Sequence, residues 1–304
     1  GNNGMWSDDT EHSIMLAQAL LASHDDLESF ANEFGSELRW WLLGLPAGTG
    51  RATARAIIRL WLGRSPKKSG VFSAGNGPAM RGALIGGCFP HDEEERRKFT
   101  AAHVQVTHSD PKALIATQAI AALAARLSLS DGCPERKTLL DFLKDEDSDS
   151  EWREIIAAMT AQLKRGATLS EFLAAIGTDP ARGISGYAYH SVPAVLFAGL
   201  RHQWSFRETV TDLIAAGGDT DTTAAIAGAL CGALGGGAHI PHEWLAGIRE
   251  WPTRPKDLVH LSDSLSKGTP IRIRARWSPA LQLRNLFFLA VVLIHGFLRL
   301  LPAS

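Results

Sequence analysis

Apolar residues recur at helical spacing along almost the whole of this chain, and nowhere do they alternate long enough to make a strand. Residues 11–23 carry Ile14, Met15, Ala17, Leu20 and Leu21 on a 3.6-residue period, and residues 27–43 continue it with Phe30, Phe34, Leu38 and Trp41. Further helices are predicted over 50–62, 112–127, 151–164, 170–176, 192–200 and 206–216. Residues 223–234 are almost entirely Ala, Ile, Leu and Gly, which predicts a helix buried on all sides. Gly228 and Gly232 would let a neighbouring helix come close there. Residues 63–77 read as a loop, and 129–150 as turn formers and an acidic run with one helical turn at 139–143. No repeat of 20–50 residues is evident. The predicted fold is therefore all-α: a single compact multi-helix domain over 1–250. Residues 251–304 follow, an irregular segment to 278 and then an apolar C-terminal helix packed on the same domain.

Composition narrows the class. Of 304 residues, 45% are hydrophobic, enough for a substantial core. Net charge is -1, from 31 basic and 32 acidic residues, which gives no general drive toward nucleic acid or an anionic membrane. Cys88, Cys133 and Cys231 are odd in number and lack metal-ligand spacing; they read as reduced, buried thiols of a cytoplasmic, monomeric protein. The chain opens on Gly1 without a charged-then-apolar signal segment and reads as a fragment or a processed chain. Residues 286–301 are strongly apolar but shorter than the about 20 residues of a spanning helix, and they include His295 and Arg299. A buried terminal helix is predicted, with no membrane span. The charge runs 92–98 and 144–151 read as solvated faces. Arg272, Arg274 and Arg276 alternate as in an exposed extended segment, or make a small anion patch; three charges are too few for nucleic-acid affinity.

Two acidic clusters carry the chemistry. Trp6-Ser7-Asp8-Asp9-Thr10-Glu11 and Gly217-Gly218-Asp219-Thr220-Asp221-Thr222 each place carboxylates and a hydroxyl just ahead of an apolar helical pattern. Such residues serve as N-caps, and Asp8-x-x-Glu11 resembles a capping box. A cap needs one oxygen, however, and each segment offers three. Oxygen ligands suit hard divalent cations, and two clusters brought together by folding could hold one or two magnesium or manganese ions for a hydrolytic reaction.

Three more segments stand out. Ser73-Ala74-Gly75-Asn76-Gly77-Pro78-Ala79-Met80-Arg81 is glycine-rich: either a plain turn or a nest of amides for a phosphate. It has neither a Walker A lysine nor a preceding strand. In Thr107-His108-Ser109-Asp110-Pro111, Ser109 or Asp110 can cap the following helix and Pro111 suits its first turn, while His108 is either structural or ligand-facing. Gly186-Tyr187-Ala188-Tyr189-His190 holds the chain's 2 tyrosines, for core packing or for stacking on a base.

Taken jointly, in this order and with Ile240-Pro241 and Trp244 downstream, these segments resemble the ADP-ribosylglycohydrolases over roughly residues 5 to 250. The resemblance implies an all-α fold and a binuclear magnesium or manganese centre held by Ser7, Asp8, Asp9, Asp219, Asp221 and Thr222. It further implies ADP-ribose bound by Gly75, Asn76, Gly77, Met80, His108, Gly186 and Tyr187, with its distal ribose at the metals. Asp8 and Asp9 would be catalytic, one of them taking a proton from the attacking water. Ser7 stands where the family more often has Thr. Family members usually also have a helix ahead of the first cluster, with a Gly-Asp-Ala-x-Gly-type segment, whereas 6 residues precede Ser7 here; either the chain is cut or it lacks that piece. The expected function is metal-dependent hydrolysis of the bond between ADP-ribose and a protein side chain or small acceptor. The rivals are a non-catalytic ADP-ribose-binding protein and a metal-dependent nucleotide phosphohydrolase.

Overall fold

A computed structural model describes residues 4–24 and 26–300. The helical periodicity is realised throughout: the chain is 70% helical, with isolated bridges in place of strands among the described residues. It opens with α1 (Asp8–Ser23), α2 (Leu27–Leu43), α3 (Arg51–Trp61) and the short α4 (Pro66–Ser69), the last inside the stretch expected as loop. There follow α5 (Ala79–Cys88), α6 (Glu93–Thr107), α7 (Pro111–Ser128), α8 (Arg136–Asp145), α9 (Ser150–Lys164) and α10 (Leu169–Ala175). After these come α11 (Ala188–Arg201), α12 (Phe206–Ala216), α13 (Thr220–Gly235), α14 (His242–Ala246), α15 (Pro255–Lys267) and α16 (Pro279–Leu300).

Local signals set the boundaries. Asp26, Asp92, Asp110, Asp149 and Thr168 each accept a backbone N–H in the first turn of α2, α6, α7, α9 and α10. Pro111 takes the first position of α7, as the sequence predicts. The larger core runs through α5 and α7 to α13, around Leu123, Trp152, Phe172, Tyr189, Phe197 and Leu230. Met15, Phe30, Phe34, Trp41 and Phe99 join α1, α2, α3, α5 and α6 in a second. The α5–α7 contact depends on missing side chains: a Cβ on Gly86 would lie 2.1 Å from the Ala121 carbonyl oxygen.

Several expectations are corrected. The segment 251–278 is not irregular throughout, since α15 packs Leu261 against Ile14, Ala17 and Leu21 of α1. The three alternating arginines are not an exposed strand. Arg274 is buried and lies 3.7 Å from Glu11, while Arg272 and Arg276 pair with Glu37 of α2 at 2.5 and 3.0 Å. The acidic run 144–151 is not only a solvated face, because Glu146 folds in to meet Arg97 at 2.8 Å. Of the three cysteines, only Cys231 is buried; Cys133 is exposed. Helix α13 is not enclosed on all sides: Ala229 is exposed, and a Cβ on Gly232 would meet nothing within 4 Å.

The apolar C-terminal segment differs most. Leu281, Arg284 and Asn285 anchor the start of α16, but Leu283, Phe287, Leu293 and Ile294 are 63%, 55%, 63% and 59% exposed. Apolarity alone predicted burial; past Asn285 the helix alternates exposed side chains with half-buried ones, Phe288 lying under the Arg284 guanidinium at 4.9 Å. Leu301 and the residues after it lie outside the described residues. Among the described residues no helix is long and apolar enough to cross a membrane.

Removing residues 286–304 is therefore expected to leave the melting temperature within a few degrees of the parent. Arg284→Met removes one partner of a buried ion pair and should cost about 3–5 kcal/mol. Thermal and urea denaturation check both; a large loss in the truncation with none in Arg284→Met would reverse the assignment.

Candidate active site

The two acidic clusters form the first turns of α1 and α13. Neither Ser7 before α1 nor Asp219 before α13 makes a side-chain capping bond, so the oxygens are not used as caps. Nor is Glu11 the partner of a capping box; it is buried and accepts a hydrogen bond from Trp41 Nε1 at 2.6 Å. Asp8, Asp9 and Asp221, from opposite ends of the sequence, can each offer an oxygen within 4.8 Å of the others. Ser7 Oγ donates to Asp9 Oδ2 at 2.5 Å, whereas Asp9 Oδ1 is buried without a partner. The buried Thr222 hydroxyl acts to lower the Asp9 and Asp219 carboxyls, against the effect of their burial. Asp219 itself accepts from Asn76 Nδ2 at 2.8 Å, which ties the second cluster to the glycine-rich loop.

Burial, then the neighbouring Asp9 and Asp221 carboxylates, push Asp8 up to about 8. Burial and Asp221 lift Asp9 to about 6, against the opposing effect of the Ser7 hydrogen bond. Asp219 is also raised, mainly by burial. Crowded carboxylates at two positive helix ends, one with an orphaned oxygen, form a donor set fitted to a hard divalent cation.

The glycine-rich loop lies beside this cluster. Gly75 bridges Tyr187 in antiparallel fashion, through Asn76 N–H to Gly186 O at 2.9 Å and Ala188 N–H to Ala74 O at 2.8 Å. The amides of Gly75 and Gly77 donate to no backbone carbonyl among the described residues. Gly186 approaches the cluster closely, since its Cβ would lie 3.3 Å from Asp219 Oδ2. Gly218, at φ +82°, has to be glycine: a Cβ would meet the Ile184 carbonyl oxygen at 2.1 Å. His108 is buried behind the loop. Its ring would stand 3.1 Å from a Cβ on Gly75 and 3.2 Å from one on Gly77, and its Nδ1 is 2.9 Å from Thr107 Oγ1. Burial and the Arg81 charge depress His108 to about 3, so the ring is neutral. Tyr187 is half-buried at the end of the bridge, with its hydroxyl between Lys112 Nζ at 2.9 Å and Glu151 Oε1 at 3.2 Å.

Met80 is buried in the main core and lines a cavity of about 840 Å3 between α1, α5, α13 and α15. Tyr189 is core as well, its ring 5.5 Å from that of Trp152.

Other residues supply the support. Arg81 is fully buried and donates to Gly77 O at 2.9 Å, Thr107 Oγ1 at 2.9 Å and His12 Nδ1 at 3.0 Å. It thus holds the loop from below. At the other side, Arg284 Nη2 donates to the Trp6 carbonyl at 2.8 Å and Glu250 Oε2 accepts the Trp6 N–H at 3.1 Å. The same two side chains pair twice, through Nε to Oε1 at 2.9 Å and Nη2 to Oε2 at 2.8 Å, and Arg284 also reaches Glu11 at 3.2 Å. Asn285 donates to Gly44 O at 2.8 Å, fixing the start of the loop whose Gly48 approaches Asp8. The peptide just ahead of Ser7-Asp8-Asp9 is therefore clamped from the far end of the chain. None of these supporting roles has a local signal. Arg81 belongs to the recognised segment, but its inward direction is visible only in the fold.

The chain is thus an all-α domain bearing an acidic cluster beside a glycine-rich loop, and known proteins resemble it in sequence and fold. A family model described as ADP-ribosylglycohydrolase matches residues 1–272. An uncharacterized protein of Archaeoglobus fulgidus is 28% identical over 253 residues, covering 82% of this chain and 77% of its own. ADP-ribosylhydrolase ARH3 of Gallus gallus is 28% identical over 280 residues (79% and 72%), and ADP-ribosyl-[dinitrogen reductase] glycohydrolase of Rhodospirillum rubrum 26% over 253 (80% and 73%). A solved structure called an ADP-ribosylglycohydrolase-related protein complex superposes with TM-score 0.64 at 25% identity, over 88% of this chain and 82% of that one. The chain belongs to the ADP-ribosylglycohydrolase family.

The raised carboxylates set a pH expectation. With folded values of about 8 and about 6 against 3.8, the folded protein retains protons that the unfolded chain has lost. Their contribution to stability is present below about pH 4 and disappears as pH rises through about 6 and about 8. A divalent cation offsets that loss, so magnesium or manganese should raise the melting temperature more at about pH 8 than at about pH 5. Asp8→Asn should raise the cation-free melting temperature at about pH 8 and shrink the cation's effect; scanning fluorimetry reads both.

Proposed function

We propose that this chain is a divalent-cation-dependent hydrolase that releases ADP-ribose from a modified protein side chain or small acceptor. The observation that carries the reading is the meeting of Asp8, Asp9 and Asp221 beside the Gly75–Gly77 loop, joined by the Asn76–Asp219 hydrogen bond. Asp8, Asp9, Asp221 and the hydroxyls of Ser7 and Thr222 would hold magnesium or manganese, one ion or two, and Asp219 completes the set. Bound there, the cation supplies positive charge that offsets the crowded carboxylates and polarises substrate oxygens.

The chain's own residues do the rest. The free amides of Gly75 and Gly77 receive the diphosphate. Neutral His108 lines the back of that loop without adding charge, and Tyr187 flanks the far end, where the adenine would lie. The distal ribose is thereby directed to the acidic cluster. Asp8 or Asp9 takes a proton from a water, whose oxygen bonds to the anomeric carbon as the bond to the acceptor breaks. The acceptor leaves with that same proton, which the carboxylate gives back. Carboxylates around the anomeric carbon stabilise its oxocarbenium-like charge.

Turnover of arginine- and serine-linked ADP-ribose peptides is expected with magnesium or manganese and abolished by chelator. Asp219→Ala and Asp221→Ala should each lower turnover on the order of 100-fold or more and weaken calorimetric cation binding. Gly77→Val should weaken ADP-ribose binding about tenfold by displacing His108, with cation affinity kept. ADP-ribose binding without turnover would instead fit a binding protein, and phosphate release a phosphohydrolase.

A further inference from the structure

Between Glu37 and Asp92 the chain contains no acidic residue but carries Arg39, Arg51, Arg55, Arg59, Arg64, Lys67, Lys68 and Arg81. Four of these have partners. Arg81 is buried, Lys67 pairs with Glu28 at 3.1 Å, Arg59 donates to the Ser69 and Gly70 carbonyls, and Arg39 lies over the Trp61 ring. Arg51, Arg55, Arg64 and Lys68 are exposed, and their side chains make no ion pair or hydrogen bond among the described residues. In a chain of net charge -1 this is a local excess of unpaired cations.

The excess adjoins the candidate active site. Arg51 and Arg55 stand one turn apart on the open side of α3, whose other side buries Thr53, Ala56, Ile57 and Leu60. Thr53 Oγ1 would be 3.5 Å from a Cβ on Gly77, and Ser73 Oγ 3.5 Å from one on Gly75. Arg51, Arg55, Phe72 and Ser73 line a cavity of about 490 Å3, and Phe72 is 75% exposed. A second cavity of about 530 Å3 is lined by Arg59, Arg64, Lys67 and Lys68, with His108 and a single acid, Asp110. The glycine-rich loop is thus flanked by two hollows in which cations outnumber acids.

We infer that this surface receives the acceptor side of the substrate, an extended acidic polypeptide carrying the ADP-ribose; the inference rests on the reading under Proposed function. Residues four apart on a helix are separated by about 6 Å along its axis. Alternate residues of an extended chain lie about 6.6 Å apart and point the same way. Carboxylates at positions i and i+2 of such a segment match Arg51 and Arg55, and a guanidinium fork binds a carboxylate through two N–H groups. Phe72 offers an apolar contact between them. A nucleic acid fits less well: four free cations neutralise few phosphates, and one aromatic does not make a stacking platform.

The test uses two peptides joined to ADP-ribose by the same linkage, one with Asp or Glu at alternate flanking positions, the other with Asn or Gln. KM is measured for the modified pair, and Kd by fluorescence anisotropy for the same pair without ADP-ribose. The acidic peptide is expected to be favoured about tenfold in both. That advantage should vanish in Arg51→Gln/Arg55→Gln and at about 0.5 M salt. The double variant should keep the parent's melting temperature, kcat and affinity for free ADP-ribose. Equal KM and Kd for the two peptides would overturn the inference, as would tighter binding of an unmodified single-stranded oligonucleotide than of the acidic peptide. Preferential binding of the acidic peptide with no turnover of either modified peptide would sink the catalytic reading and leave the surface standing.

Discussion

Mutual repulsion among Asp8, Asp9 and Asp221 is what the rest of this fold has to withstand. The three carboxylates sit within 4.8 Å of one another at the ends of two helices. Burial strengthens the repulsion, and Asp8 and Asp9 hold their protons far above the ordinary carboxylate range as a result. Two positive helix ends supply part of the compensation. The remainder comes from packing, since α5 contributes to both cores and so ties α1 to α13.

The buried arginines show how that rigidity is distributed. Arg284 and Glu250 hold both polar groups of the Trp6 peptide, one residue ahead of Ser7. Arg81 holds the Gly77 carbonyl from inside and lies among His12, His103 and Thr107. Its charge, together with burial, keeps those histidines and His108 neutral. A fixed cation under the glycine-rich loop biases the local potential toward anions without placing a charge at the loop itself. Buried charges of this kind are costly when unpaired, and Arg81 and Arg284 are each surrounded by several acceptors.

The same logic orders the surface. The acidic cluster and the basic face of α3 are neighbours of opposite sign, separated by the loop at Gly75–Gly77.

Periodicity carried the all-α class, because burial of one helical face every 3.6 residues is a local property. The two acidic clusters and the glycine-rich loop were likewise legible, since each offered more oxygens or glycines than a cap or a turn requires. The direction of single side chains was not. Met80 sits beside Asn76 in sequence yet turns into the core, while Glu11, three residues past Asp8, turns from a presumed cap to a buried partner of Arg284. Arg274 and Arg272 are two residues apart; the first is enclosed and the second meets Glu37 at the surface of α2. The apolar run from residue 286 reads as core, yet Leu286, Phe287, Val292, Leu293 and Ile294 stand exposed. Such outcomes depend on which distant segment arrives at the other side. The sequence by itself determined the helices and the chemistry at their ends; tertiary structure alone decided which ends meet, because burial and Coulomb energy belong to contacts between segments far apart in the chain.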